Sequence, residues 1–153
     1  MISLKIATQE DTPYIFEMCL KFIEESPYKD YPKDATKISS LISSFLSDIS
    51  QRICLLATSK DIPIGIVAGQ VSPALFSHQL VASEVLWWVE PEYRGRSRAA
   101  IELLGAFEDW GRRVGADYIQ MVSLPFLGDS RAHSIYTRLG YDLKELAYVK
   151  EIH

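Results

Sequence analysis

Val89-Glu90-Pro91-Glu92-Tyr93-Arg94-Gly95-Arg96-Ser97-Arg98-Ala99-Ala100 is the stretch on which the reading of this chain turns. Upstream, Val81 to Val89 is an apolar, β-prone run. Downstream, Ala100, Leu103, Leu104, Phe107 and Trp110 recur at helical spacing until Gly115 closes the pattern. A strand therefore passes through small and basic residues into a long helix. The first amides of a helix find no acceptor within it and carry the positive end of its dipole, so a pyrophosphate at that entrance receives several donors together. Arg94, Arg96 and Arg98 add long-range attraction. On this segment alone, a solvent-facing turn whose arginines serve solubility is an equal reading.

Working outward, Leu4 and Ile6 alternate as a short strand, and Thr8 with Asp11 forms a capping box ahead of a helix. Ile15, Met18, Cys19, Phe22 and Ile23 keep helical spacing until Ser26-Pro27, and Tyr28 to Lys33 reads as a loop. A second helix follows from near Asp34 to Ser47. Ile53 to Ala57 and Ile62 to Val71 form a hairpin, and Val81 to Val89 adds a third antiparallel strand. Beyond the long helix, Tyr118 to Val122 is a buried strand and Ser130 to Leu139 a short helix ending at Gly140. Tyr141 to Ile152 alternates as one or two closing strands. The whole describes a single α/β (α+β) domain over residues 1–153, with a mixed, mostly antiparallel central sheet and helices on both faces.

The totals fit one soluble domain. The chain has 153 residues, 48% of them hydrophobic, enough for one substantial core. A formal charge of -4 supplies no basic footprint for nucleic acid. No apolar run of about 20 residues spans a membrane and no leader precedes Gln9, so a cytoplasmic location is expected. Cys19 and Cys54 are too few and too far apart for a disulfide framework or a zinc site, and with His133 and His153 read as surface residues, no metal is called for.

Arg94 to Ala99 resembles the acyl-CoA loop of GNAT-type N-acyltransferases, commonly Arg/Gln-x-x-Gly-x-Gly/Ala, and Pro91 to Gly95 looks like that family's usual lead-in. Ser97 stands where the family usually has glycine. Its Cβ leaves less room for a backbone approach to phosphate, while its hydroxyl can donate to the anion or cap the helix. A second segment, Asp129-x-x-Ala132-x-x-x-Tyr136-x-x-x-Gly140-Tyr141, resembles the family's Asn-x-x-Ala-x-x-x-Tyr-x-x-x-Gly-Phe/Tyr, with Asp129 replacing Asn. A carboxylate only accepts, so one hydrogen bond to the pantetheine arm is lost or reversed.

The resemblance implies a fold in which the strands flanking the cofactor splay apart, and acetyl-CoA, or a related acyl-CoA, as co-substrate. Val89, Arg94, Gly95, Arg96, Ser97, Arg98, Ala99 and Asp129 then hold the cofactor, joined by Trp88, whose backbone N–H, with that of Val89, would face the oxyanion. For those amides to reach a ligand, the Glu84 to Val89 strand needs a bulge. The acceptor is an amine, on a small molecule or a protein. It is largely protonated at neutral pH and needs a base. Glu84 matches the family's position for one, although an exposed strand carboxylate is as good a reading. Strict alternation would place Glu84, Leu86 and Trp88 on one face and Val85, Trp87 and Val89 on the other. Glu90 and His78 are weaker alternatives. Tyr136 would protonate the departing thiolate. Trp87, Tyr28 and Tyr31 are placed along the acceptor pocket. An amine N-acetyltransferase working by direct transfer in a ternary complex is the leading expectation. A weakly catalytic acyl-CoA-binding module is the alternative, and the oligomeric state, a homodimer included, stays open.

Overall fold

The computed structural model describes residues 1–124 and 130–152. Among the described residues, five strands form one sheet in the order of the chain: β1 (Ile2–Ile6), β2 (Arg52–Ser59), β3 (Ile62–Pro73), β4 (Leu80–Val89) and β5 (Tyr118–Gln120). Each of the first four is antiparallel to its neighbour: a two-residue turn joins β2 to β3, a six-residue loop joins β3 to β4, and β1 pairs with β2 across the intervening helices. Lys60 and Asp61 take left-handed φ at the first of these turns. A helix crosses over between β4 and β5, and β5 runs parallel to β4.

Among the described residues, four α-helices cover the sheet: α1 (Thr12–Glu25), α2 (Ala35–Phe45), α3 (Ala99–Arg113) and α4 (Ser130–Arg138). Each begins or ends on local chemistry read from the sequence. The Asp11 carboxylate accepts the Thr8 amide at 2.8 Å ahead of α1, and Asp34 caps α2 by accepting from the Lys37 amide. α1 and α2 bury Ile15, Met18, Ile42 and Phe45 against Leu56, Ile66, Leu86 and Trp88. α3 buries Leu103, Phe107 and Trp110 against Ile53, Val67, Ala82 and Val89 on the other face. Each such side chain fully removed from water contributes about 1.5–3 kcal/mol. The expected α/β class, with a mostly antiparallel sheet between helical layers, is the one observed.

Two expectations at the C-terminal end are overturned. β5 stops at Gln120 rather than Val122, and β4 pairs with it only over Val81–Ser83, so the two strands part from there on. Tyr141 to Ile152 forms no strand. Its apolar alternation is genuine, but alternation specifies a strand only where a neighbouring edge is within reach, and here the segment leaves the sheet.

β4 carries a bulge. Ala68 faces Leu86 and Gly69 faces Glu84, which leaves Val85 unpaired. Gly69 is required there: a Cβ would lie 2.4 Å from Phe107 Cε1 and 2.7 Å from the Ser83 carbonyl oxygen.

Candidate functional site

The bulge determines what the strand presents. Below it, Ala82 belongs to the α3 core; above it, Leu86 and Trp88 belong to the α1–α2 core, while Trp87 and Val89 face α3. One extra residue has shifted the alternation by one. Glu84 therefore parts from Leu86 and Trp88, contrary to strict alternation, and joins Trp87 on the α3 side. There its carboxylate hydrogen-bonds the backbone of Val122, and its Oε2 is fully buried with no partner among the described residues. Burial pushes the Glu84 carboxyl up to about 8, against the lowering effect of the Val122 bond. Among the described residues one oxygen of this buried acid is thus uncommitted.

Tyr136, on α4, completes the cluster. Its hydroxyl donates to the Val122 carbonyl at 2.7 Å, and its ring lies 5.7 Å from Trp87 and 5.5 Å from Tyr141. Burial first, then the neighbouring Glu84 and Tyr141, raise its phenol far above the ordinary value, so it holds its proton at any working pH. Trp87 is fixed from behind, its Nε1 donating to the Ala100 carbonyl at 3.1 Å. Tyr141 donates to Glu108 on α3 at 3.0 Å, which seats the end of α4.

The same antiparallel pairing identifies the amides that face the gap. Glu90 donates to Ile64 at 2.8 Å, so Glu90–Ile64 and, two residues on, Trp88–Ile66 are the hydrogen-bonded pairs of the ladder. The Trp88 amide is thus occupied by β3, which corrects the expectation that it faces a ligand. Its side chain is buried beneath α1. The amides of Val89 and Trp87 point the other way, where β5 no longer pairs.

At the helix entrance, Gly95 adopts φ +71°, a left-handed value that favours glycine, and turns the chain toward α3. Among the described residues no acceptor meets the amides of Gly95, Arg96, Arg98, Ala100 or Ile101. Ser97 acts as a cap: its hydroxyl donates to the Tyr93 carbonyl at 2.8 Å and accepts from the Ala99 amide at 3.3 Å. Ala99 itself is buried.

The arginines divide. Arg94 turns inward, Nε to the Val89 carbonyl at 2.6 Å and Nη2 to both oxygens of Glu25 at 2.9 and 3.1 Å, with its guanidinium over Trp88. Its charge is matched by Glu25, so the long-range attraction expected of Arg94 falls to Arg96 and Arg98. Both are exposed, and Arg98 lies 3.9 Å from Glu102. Glu25, which also accepts from Trp88 Nε1, was not legible beforehand; 69 residues separate it from Arg94, and only the packing of α1 on the sheet joins them. Val122 was likewise missed as a shared partner because its contribution is main chain.

The other expected residues lie apart from this cluster. Tyr28 and Tyr31 pack edge to face at 5.1 Å, half-exposed, on the loop between α1 and α2. Glu90 is committed to Lys21 at 2.7 Å, and His78 and His133 are exposed. A cavity of about 390 Å³ between α1 and the start of β3 has neither Glu84 nor Tyr136 in its walls. Asp129 and His153 lie outside the described residues. Among the described residues no helix is long and apolar enough to cross a membrane.

A buried acid, a buried phenol, unpaired strand amides and an open helix entrance thus border one gap in the sheet. Solved structures share the architecture over the whole chain. AAC(6')-Iy bound to the bisubstrate analogue CoA-S-monomethyl-acetylneamine is 13% identical with a TM-score of 0.78, covering 100% of this chain and 99% of its own. A transcriptional regulator from Bacillus halodurans C-125 is 13% identical with a TM-score of 0.80, covering 99% and 100%. A ribosomal-protein-alanine N-acetyltransferase from Brucella melitensis biovar Abortus 2308 is 12% identical with a TM-score of 0.74, covering 100% of both. At such identities the likeness is one of fold. Comparison with curated protein sequences gave no match. The family model described as Acetyltransferase (GNAT) family matches residues 16–141, most of the chain including the loop and Tyr136, and the protein belongs to that family.

Proposed function

We propose that this protein is an acetyl-CoA-dependent N-acetyltransferase that passes the acetyl group directly to a primary amine within a ternary complex. The observation that carries the reading is the buried, unpaired Glu84 oxygen in the gap between β4 and β5, beside Tyr136. An acid with its pKa raised by burial is suited to take a proton from an ammonium group near neutral pH, directly or through water.

In this reading the pyrophosphate of the cofactor lies on the open amides of Gly95, Arg96, Arg98 and Ala100, with Arg96 and Arg98 supplying charge. Ala99 packs the loop from within and Ser97 holds its turn. Arg94 acts indirectly, tying the loop to Glu25. The pantetheine arm follows the unpaired edge of β4, and the Val89 amide is the oxyanion donor in place of the Trp88 amide. Glu84 frees the amine for attack on the thioester carbon. When the tetrahedral intermediate collapses, Tyr136 gives its proton to the CoA thiolate. Trp87 forms a wall beside the reacting carbonyl, and Tyr28 and Tyr31 border the acceptor's approach. The relatives that act on aminoglycosides and on a ribosomal protein mark amines of both sizes as acceptors to test.

A specific feature favours the binding-module alternative: Ser97 consumes the Ala99 amide within the loop. Calorimetry with acetyl-CoA and thiol release over aminoglycosides, polyamines and peptide N-termini separate the two. Thiol release with at least one amine is the expected outcome. Micromolar binding without turnover on any amine establishes the module instead, and no binding overturns both.

A further inference from the structure

We infer that the acceptor amine carries a single positive charge on a neutral body bearing amide or hydroxyl groups, and that this body lies on an uncovered shelf of the sheet formed by Gln70, Ser83 and Gln120. The inference rests on the N-acetyltransferase reading and narrows its substrate class.

The helical layer of α1 and α2 stops short on its face of the sheet. Cys54, Ala68 and Leu86, paired across β2, β3 and β4, are the last row that it covers. Farther along the strands, the register sets Arg52, Gln70, Ser83 and Gln120 side by side across β2, β3, β4 and β5. All four share that face, because the adjacent Ile53, Val71, Ala82 and Ile119 pack toward α3. A central strand between two helical layers buries its large apolar side chains. Val85 on β4 is nevertheless 45% exposed, and Val122, just past β5, is 44% exposed. These two border the place where β4 and β5 part, so the shelf runs into the mouth of the gap that holds Glu84 and Tyr136.

The shelf has a definite chemistry. Among the described residues, the side chains of Gln70, Ser83 and Gln120 make no hydrogen bond within the chain, which leaves two amides and a hydroxyl for a ligand. The next row, Ser72, Val81 and Tyr118, is equally uncharged. No strand residue on this face of β2 to β5 is a carboxylate. The one formal charge in the row is that of Arg52. Its guanidinium donates to Ser44 Oγ at 2.6 Å and lies over the Phe45 ring, and among the described residues no carboxylate pairs with it. At ~4.8 Å per strand the row spans about 14 Å from Gln120 to Arg52, the length of an amine that bears two or three amide groups. A neutral amide or hydroxyl body laid here finds donors and acceptors along its length. A polycation finds no counter-charge on the sheet and an unmatched guanidinium at the far end, so like-charge juxtaposition works against it.

Thiol release by the full chain with saturating acetyl-CoA tests the inference on alanyl-seryl-glycinamide, which has one charge, and on spermidine and kanamycin, which have several. The tripeptide amide is expected to give a kcat/KM at least about tenfold above either polycation. Gln120→Leu should raise KM for the tripeptide amide about 3- to 10-fold, with a smaller change in kcat. Gln120→Glu should raise kcat/KM for spermidine about 3- to 10-fold, because it adds the missing counter-charge. Gln120 is exposed, so both variants should keep the circular dichroism of the native chain and, by calorimetry, its acetyl-CoA affinity within about twofold. Equal or better use of either polycation overturns the inference and leaves the transferase reading standing. So do Gln120 variants that alter KM for none of the three acceptors. No thiol release with any amine overturns the transferase reading, and the inference falls with it.

Discussion

The Tyr136 hydroxyl donates to the Val122 carbonyl at 2.7 Å. The phenol proton is thereby aimed at the main chain just past the end of β5, where the sheet opens. Tyr136→Phe removes the proton donor and leaves the packing against Trp87 and Tyr141 in place. On the proposed mechanism kcat falls by roughly 10²–10⁴-fold with KM for acetyl-CoA within about twofold. The lost hydrogen bond costs about 1 kcal/mol of stability. Steady-state kinetics with a reactive amine, read beside a denaturant titration, checks both, and an unchanged kcat removes Tyr136 from the chemistry.

Glu84 gives a prediction with a definite sign. Its carboxyl is raised from 4.5 to about 8 by burial, so between those values the unfolded chain ionises while the folded one keeps its proton. Stability falls as pH rises through this window, by at most about 1.4 kcal/mol per pH unit, and the loss is complete above the folded value. Glu84→Gln should flatten that slope and be the more stable protein at pH 9. Activity runs the other way, because only the carboxylate is a base. kcat/KM of the native enzyme should rise with a midpoint near 8, and the variant should lack this limb. Melting temperature and kcat/KM measured across pH decide both.

Ser97 sets helix capping against cofactor affinity. Ser97→Gly frees the Ala99 amide and removes a Cβ from the loop, at the loss of the bond to the Tyr93 carbonyl. Acetyl-CoA should bind about 2- to 10-fold more tightly while stability drops by about 0.5–1.5 kcal/mol, or a few degrees in Tm. Calorimetry and thermal melting give the two numbers. Weaker binding by the variant would mean that the serine hydroxyl is itself a phosphate ligand.

Gly69 supports the site from the neighbouring strand. In Gly69→Ala the new methyl collides with Phe107 and the Ser83 carbonyl oxygen, both in the core, so about 1–3 kcal/mol of overpacking is expected. Because Gly69 faces Glu84 across the bulge, the variant should also lower kcat while acetyl-CoA affinity holds. A neutral effect on both would show that the bulge tolerates displacement.

Much of the architecture was legible because it is local. The strand-to-helix passage at Val89–Ala100, the capping box at Thr8–Asp11 and the apolar spacing of α1, α2 and α3 each depend on neighbouring residues, so the sequence alone determined the elements as far as α4, their order and the family. The loop motif likewise located the helix entrance with its open amides. The tertiary structure decided what side chains and amides face. A single unpaired residue, Val85, moves Glu84 to the face of Trp87, a shift that no alternation rule contains because the extra residue is defined only against the partner strand. The same pairing assigns the Trp88 amide to β3 and the Val89 amide to the gap. Arg94 reads as an anion ligand in the sequence, yet Glu25, distant along the chain, takes its charge once α1 is packed. The C-terminal segment has the pattern of a strand and forms none among the described residues, because a strand requires an edge beside it and a pattern in one chain does not place that edge within reach.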